Sequence, residues 1–153
     1  MLCVELVPTS AWKSNVRSVV RPGTWDRIKR DVSTAASYRC VTCGRAGSGH
    51  PVECHEIWAY DDDRGVQALA GLAALCPDCH MVKHFGLAVA RGQSEYALRW
   101  LAQVNTWTPA QAFAHVKEAF RIHAERSRRS WRLDVGLLER RYGVRLGTDG
   151  TEA

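Results

Sequence analysis

With 153 residues and a formal charge of +5, the chain is sized for one domain with a modest core, not for several. No apolar run approaches the ~20 residues of a membrane-spanning helix, and residues 1–11 lack the basic start and apolar stretch of a secretory signal. The expected setting is therefore cytoplasmic, with no membrane partner, where the six cysteines are expected to bind metal or stay free instead of pairing as disulfides.

Residues 1–23 read as an N-terminal arm. Residues 2–7 alternate loosely, as a short strand would before Pro8, and the rest of the arm is irregular. Thr24 can cap a helix in which Trp25, Ile28 and Val32 recur at helical spacing, ending near Ala36. Tyr38 to Gly44 then holds Cys40-x-x-Cys43. A Gly/Ser-rich turn, with His50 isolated in it, leads to a strand over Val52–Trp58. Asp61-Asp62-Asp63 reads as a solvated turn, because three consecutive acids cannot all face one point. The apolar run Val66–Leu75 enters Cys76-x-x-Cys79-His80-x-x-x-His84 as a strand or tight turn. One helix is expected from Asp78 to Ala90, which closes a central domain over residues 24–92.

Residues 93–146 read as a helical extension. Ser94 can cap a helix containing Tyr96, Leu98, Trp100, Leu101 and Val104. Thr108-Pro109 opens another, since threonine caps well and proline is tolerated in the first turn. Its apolar face would be Phe113, Val116 and Phe120, and it ends in a basic turn with Arg126, Arg128 and Arg129. Trp100, Trp107 and Phe113 could line either a helical core or a homodimer interface. Trp131 and Leu133 to Leu138 could pack back on the body, and residues 147–153 are expected to be disordered.

Charge is unevenly spread. Residues 12–45 carry eight Lys and Arg against two acids, residues 46–80 one Arg against six acids, and residues 81–153 twelve bases against seven acids. Two basic flanks around an acidic centre suit a polyanion held against a cation site, or an ordinary solvated surface.

The chemistry concentrates in the central domain. Two C-x-x-C knuckles supply the four thiolates of a closed tetrahedral zinc site, Cys40, Cys43, Cys76 and Cys79. The 32 residues between Cys43 and Cys76 leave room for a β-hairpin. His80 and His84 stand four apart, so on a helix they share a face. The strand before them carries Glu53, His55 and Glu56. Strand and helix thus form a β-β-α unit presenting metal ligands to each other. Imidazoles and carboxylates with an open coordination position are the ligands of a hydrolytic metal site.

At residues 24–88 the chain resembles the HNH endonucleases of the four-cysteine zinc subgroup. The resemblance rests on Trp25-Asp26-Arg27-Ile28-Lys29-Arg30, Cys40-x-x-Cys43-Gly44, Val52-Glu53-Cys54-His55-Glu56-Ile57 and Gly71-Leu72-Ala73-Ala74-Leu75-Cys76-Pro77-Asp78-Cys79-His80. It implies an α+β fold, a zinc-stabilised ββα-metal (His-Me) finger with additional helices at both ends. It also implies hydrolysis of DNA phosphodiesters with a second divalent cation, Mg²⁺, Mn²⁺, Ni²⁺ or Zn²⁺. Family members commonly read L-E-x-H-H-I at the strand. In that register His55 is a metal ligand with His80 and His84, and Glu56 stands at the general base. One residue back, His55 becomes the base and Cys54 the ligand. Gly71 occupies the usual asparagine position. Lys83 and Arg126, Arg128 and Arg129 would bind phosphates. The alternative is a catalytically impaired zinc-stabilised module that binds DNA or protein.

Overall fold

In the computed structural model, which describes residues 1–46 and 51–153, the elements follow in order: α1 (Pro22–Ala35), β1 (Glu53–Asp61), β2 (Val66–Leu75), α2 (Pro77–Lys83), α3 (Phe85–Ala90), α4 (Ser94–Asn105), α5 (Pro109–Arg126), β3 (Arg132–Asp134) and α6 (Leu137–Tyr142). The architecture is mixed α+β. β2 is apolar at almost every position, and most of it is buried. Such a run suits a central strand, because both faces must meet other layers. β1 pairs with it antiparallel, from Glu53 opposite Leu75 to Asp61 opposite Val66, with a bulge between Ile57 and Trp58. β3 runs parallel to the start of β2 on its other side, so among the described residues the outer edge of β1 has no strand partner.

The sheet separates two cores. On one face Trp25, Ile28 and Val32 of α1 pack with Val16, Val20 and Leu138 against Leu69 and Ala74. On the other, Leu2, Val4, Val82, Phe85, Trp100 and Leu101 pack around Ala73 and Leu75. Trp100 therefore belongs to the core and Trp107 packs at its margin. Phe113, expected on the buried face of α5, is 60% exposed, and Ala112 and Val116 are the residues buried there. The expected start of α5 is seen as a reciprocal capping box between Thr108 and Gln111.

Three segments differ from the local reading, each through a long-range contact. α1 begins at Pro22, and its first residues are held by the far end of the chain. The Glu152 carboxylate accepts from Arg21 N at 2.7 Å and from Thr24 Oγ1 at 2.8 Å, while Glu152 N donates to Val19 O. Residues 147–153, expected to be disordered, are ordered by these bonds. Next, the helix expected over residues 78–90 breaks at His84 (φ −95°, ψ 48°) into α2 and α3. The arm takes up the carbonyl freed at the break: Glu5 N donates to Lys83 O at 3.0 Å, and Leu87 N turns to His84 O instead. Finally, the turn at Asp61-Asp62-Asp63 is tied down. Arg126 forks onto both Asp62 carboxylate oxygens at 3.0 and 2.7 Å with its guanidinium 4.6 Å from the Tyr60 ring centre, and Arg129 Nη1 donates to Asp62 O at 2.5 Å.

The arm itself is extended and stapled by side chains. Leu2 N donates to Asn105 Oδ1 at 2.8 Å, Asn105 Nδ2 donates back to Leu2 O at 2.7 Å, and Val4 N donates to His115 Nε2 at 3.0 Å. Asn105→Ala leaves a donor and an acceptor of Leu2 without partners. Urea unfolding is expected to show a loss of about 1–3 kcal/mol, the usual cost of unpaired buried polar groups.

Candidate functional site

Two clusters of metal-ligating side chains meet at α2. The first is Cys40, Cys43, Cys76 and Cys79, whose sulfurs all lie within 4.8 Å of one another. Gly44 supplies the positive φ (+74°) that closes the first knuckle, and Gly44 N bonds back to Cys40 O. The knuckle is joined to the end of β2 through Val41 N to Ala74 O at 3.0 Å. β2 then delivers Cys76, and the first turn of α2 delivers Cys79. A tetrahedral zinc with bonds near 2.3 Å needs sulfurs about 3.8 Å apart; Cys43 Sγ and Cys76 Sγ are 3.6 Å apart. The donor set and its spacing therefore fit a structural metal ion such as zinc.

The thiol electrostatics agree. Burial pushes the Cys76 thiol up to about 11, and raises Cys79 further despite the Trp100 Nε1–H donated to its sulfur at 3.4 Å. Burial also works against ionising Cys40, but backbone N–H groups of Cys76, Cys43 and Thr42 outweigh it and hold that thiol at about 7. Buried thiols packed this closely ionise together only if a cation shares the site.

The second cluster is His55, His80 and His84, with one ring nitrogen of each within 4.8 Å of the others. β1 presents His55 towards α2, because its in-phase neighbour Ile57 packs into the α2-side core. His80 on α2 and His84 at its C-cap lie one turn apart, the bond from His84 N to His80 O (3.1 Å) completing that turn. The three rings meet edge to face at centroid separations of 4.6–5.3 Å. His80 Nε2 and His84 Nε2 are 3.1 Å apart, while His80 Nδ1 is bonded to the Glu53 carboxylate. Burial depresses His80 against the opposing pull of Glu53. Burial, with the neighbouring imidazoles, lowers His84 to about 4. Neutral imidazoles with lone pairs are what metal ligation requires.

Glu56, expected as general base, is placed apart from this cluster. Adjacent strand residues point to opposite faces, so Glu56 shares the face of Cys54. Its Oε1 accepts from Val16 N at 3.1 Å, and burial raises its carboxyl. Cys54, the ligand in the other register, lies on that same face, away from His80 and His84; burial and the Glu56 charge push its thiol up to about 12. Gly71 lies opposite Ile57 at the bulge and offers no side chain to orient a base; a Cβ there would meet only Ile57 Cδ1, at 3.6 Å.

Of the expected phosphate binders, Arg126 and Arg129 are engaged with Asp62, as described above. Arg128 is exposed and carries no ion pair among the described residues. Lys83 is 8% exposed, its Nζ 2.5 Å from Glu5 Oε1 and 3.1 Å from Cys3 Sγ. Glu5 Oε2 in turn lies 2.8 Å from His55 Nε2. Burial alone would raise the Glu5 carboxyl, but the hydrogen bonds to His55 and Lys83 and the lysine's charge outweigh it and hold it at about 2. Local sequence reading missed Glu5, which sits 50 residues from His55. No motif or spacing links the two. His50 lies outside the described residues.

The histidines line a cleft of about 720 Å³. Trp12, Arg17, Tyr60 and Phe120 line it as well, and so does Glu56. Among the described residues, no helix is long and apolar enough to cross a membrane. Comparison of the chain with protein-family models, curated proteins and solved structures found no match.

The cysteine cluster generates a direct expectation. The purified chain should retain about one zinc after mild EDTA dialysis, and Cys79→Ser should lose both the zinc and cooperative unfolding, as structural zinc sites contribute folding free energy outright. A well-folded, zinc-free Cys40→Ser/Cys79→Ser chain would overturn it.

Proposed function

We propose that the chain is a metal-dependent endonuclease that hydrolyses DNA phosphodiester bonds, built on a zinc-stabilised ββα-metal finger of the HNH kind. One observation carries the reading: His55, His80 and His84 converge beside a four-cysteine cluster, with Cys79 and His80 adjacent on one helix. A closed thiolate site next to an imidazole site that retains open positions is the pairing of a structural and a reactive metal. The thiolate set suits zinc, and three imidazoles suit Zn²⁺ or Ni²⁺ better than the oxygen-seeking Mg²⁺.

In this reading the three histidines hold a second divalent cation, Mg²⁺, Mn²⁺, Ni²⁺ or Zn²⁺. That ion, when bound, would polarise the phosphate and lower the pKa of a bound water. Glu53 accepts from His80 Nδ1 and so leaves Nε2 to face the centre. Arg17 and Arg128, exposed and without ion pairs among the described residues, supply positive charge for the DNA backbone. Lys83 and Glu5 form a buried pair beside the centre. Glu56 serves as an acceptor for Val16 N, and an ion held by the three histidines would supply the activation of water that a side-chain base at that position would otherwise give.

A second reading, a zinc-stabilised module that binds DNA or protein without cleaving, is favoured by the position of Glu56 away from the histidines. Plasmid nicking with each of the four cations separates the two. The wild-type chain is expected to nick, and His55→Ala, His80→Ala and His84→Ala each to lose at least about a hundredfold while keeping the cysteine-bound zinc. Glu56→Gln is expected to leave the rate nearly unchanged. A fall of about 10²–10⁴ would instead restore it as the general base. No nicking with any cation, together with a gel shift that persists in EDTA, would support the binding module. Arg128→Gln should reduce the salt dependence of DNA binding by about one unit of slope.

A further inference from the structure

Glu5 is not explained by the three histidines or by the cysteine cluster. Its carboxylate approaches His55 Nε2 at 2.8 Å, and His55 is only 4% exposed. The other nitrogen of that ring, Nδ1, is buried and has no partner among the described residues. A neutral imidazole that donates its Nε2–H to a carboxylate carries its lone pair on Nδ1. At His55 that lone pair is buried in a ring packed edge to face against His80 and His84.

We propose that Glu5 is a positioning residue of the histidine centre: it accepts the Nε2–H of His55, fixes that tautomer, and commits the Nδ1 lone pair to the ion shared with His80 and His84. This rests on the three-histidine reading above and adds to it a carboxylate from outside the β-β-α unit. The arrangement repeats one already present, since Glu53 holds His80 by Nδ1 and leaves its Nε2 beside His84 Nε2. Metal-ligating histidines commonly donate their second ring N–H to a carboxylate, and that partner sets tautomer and ring orientation. With Glu5 on Nε2 and an ion on Nδ1, both polar atoms of the buried ring are satisfied.

The arm is built to hold Glu5 in place. Leu2 and Val4 are buried on either side of Cys3, and both backbones are clamped, by Asn105 and His115. Glu5 N is fixed by Lys83 O, and its second carboxylate oxygen by Lys83 Nζ at 2.5 Å. A segment held at this many points is a wall of the site and not a removable strap.

The test uses the full chain with zinc at the cysteines, labelled with ¹⁵N-histidine. Long-range ¹H–¹⁵N correlations read the tautomer of His55, and calorimetry with Zn²⁺ reads binding of the second ion. Wild type is expected to show the Nε2–H tautomer. Glu5→Ala should mix the tautomers and weaken second-ion binding about 10- to 100-fold, the usual effect of removing such a partner. Glu5→Gln keeps a carbonyl acceptor and should preserve the tautomer with an intermediate loss, and it carries the comparison if the alanine variant fails to retain zinc and fold. An unchanged tautomer and unchanged Kd in Glu5→Ala overturn the proposal and leave the three-histidine reading intact. A wild-type chain that takes up no second ion overturns both. A gain in DNA affinity in Glu5→Ala with unaltered ion binding also overturns it, and makes the carboxylate a stand-in for phosphate.

Discussion

The position of α2 is the constraint from which the rest of the site follows. Its seven residues are too few to be stable as a helix on their own, so it must be fixed from outside at both ends. At the start, Cys76 and Cys79 tie it to the knuckle of Cys40 and Cys43, with β2 leading in. At the end, Glu5 N takes the carbonyl of Lys83 where the helix breaks. Between these anchors His80 and His84 are presented on one turn. A helix running uninterrupted to Ala90 would leave the Lys83 carbonyl to Leu87 and give the arm no backbone bond at this point. The break at His84 is thus where the arm, the helix and the candidate centre are made to depend on one another.

The pleat of β1 imposes the second constraint. His55 and Glu56 are neighbours in sequence, and for that reason they serve different faces of the sheet. The bulge that could have re-aimed a side chain falls after Ile57, too late to bring Glu56 round. His55 therefore joins the helix-side histidines, and Glu56 is used against Val16 on the α1 side. Glu53, in phase with His55, reaches His80. The geometry thus recruits alternate residues, Glu53 and His55, and passes over the adjacent one.

What could be read from the sequence was what local chemistry determines. The paired C-x-x-C knuckles, the i, i+4 histidines, the helix start at Thr108-Pro109 and the hairpin between the knuckles all rest on spacings of a few residues or on a donor set with few uses. The rest depended on contacts whose partners share no local signal. Asp62 reads as a solvated turn until Arg126 and Arg129 arrive from the end of α5. The tail reads as disordered until Glu152 meets the start of α1. The alanine-rich run of β2 has little strand propensity, and its burial between two layers decides for the strand over the tight turn that the sequence also allowed. Phe113 fits a helical period, but the contact of α5 uses Ala112 beside the expected Val116 and leaves Phe113 exposed. Glu5 is the extreme case, since only the folded arm puts it beside His55.

The same pairing changes the meaning of the charge pattern. The acidic centre, residues 46–80, would repel a polyanion if its carboxylates faced solvent alone. Most are occupied within the fold: Glu53 by His80, Glu56 by Val16 N, Asp62 by Arg126 and Arg129, Asp78 by the Tyr96 hydroxyl, and Asp61 by the backbone N–H groups of Asp63 and Arg64. Arginines are consumed as well, but the flanks began with an excess, and Arg17 at the cleft and Arg128, two residues beyond the cleft-lining Arg126, carry no ion pair among the described residues. With most of those carboxylates engaged, the exposed charge around the cleft is less negative than the residue count of the acidic centre suggests, which is the direction the proposed reading requires.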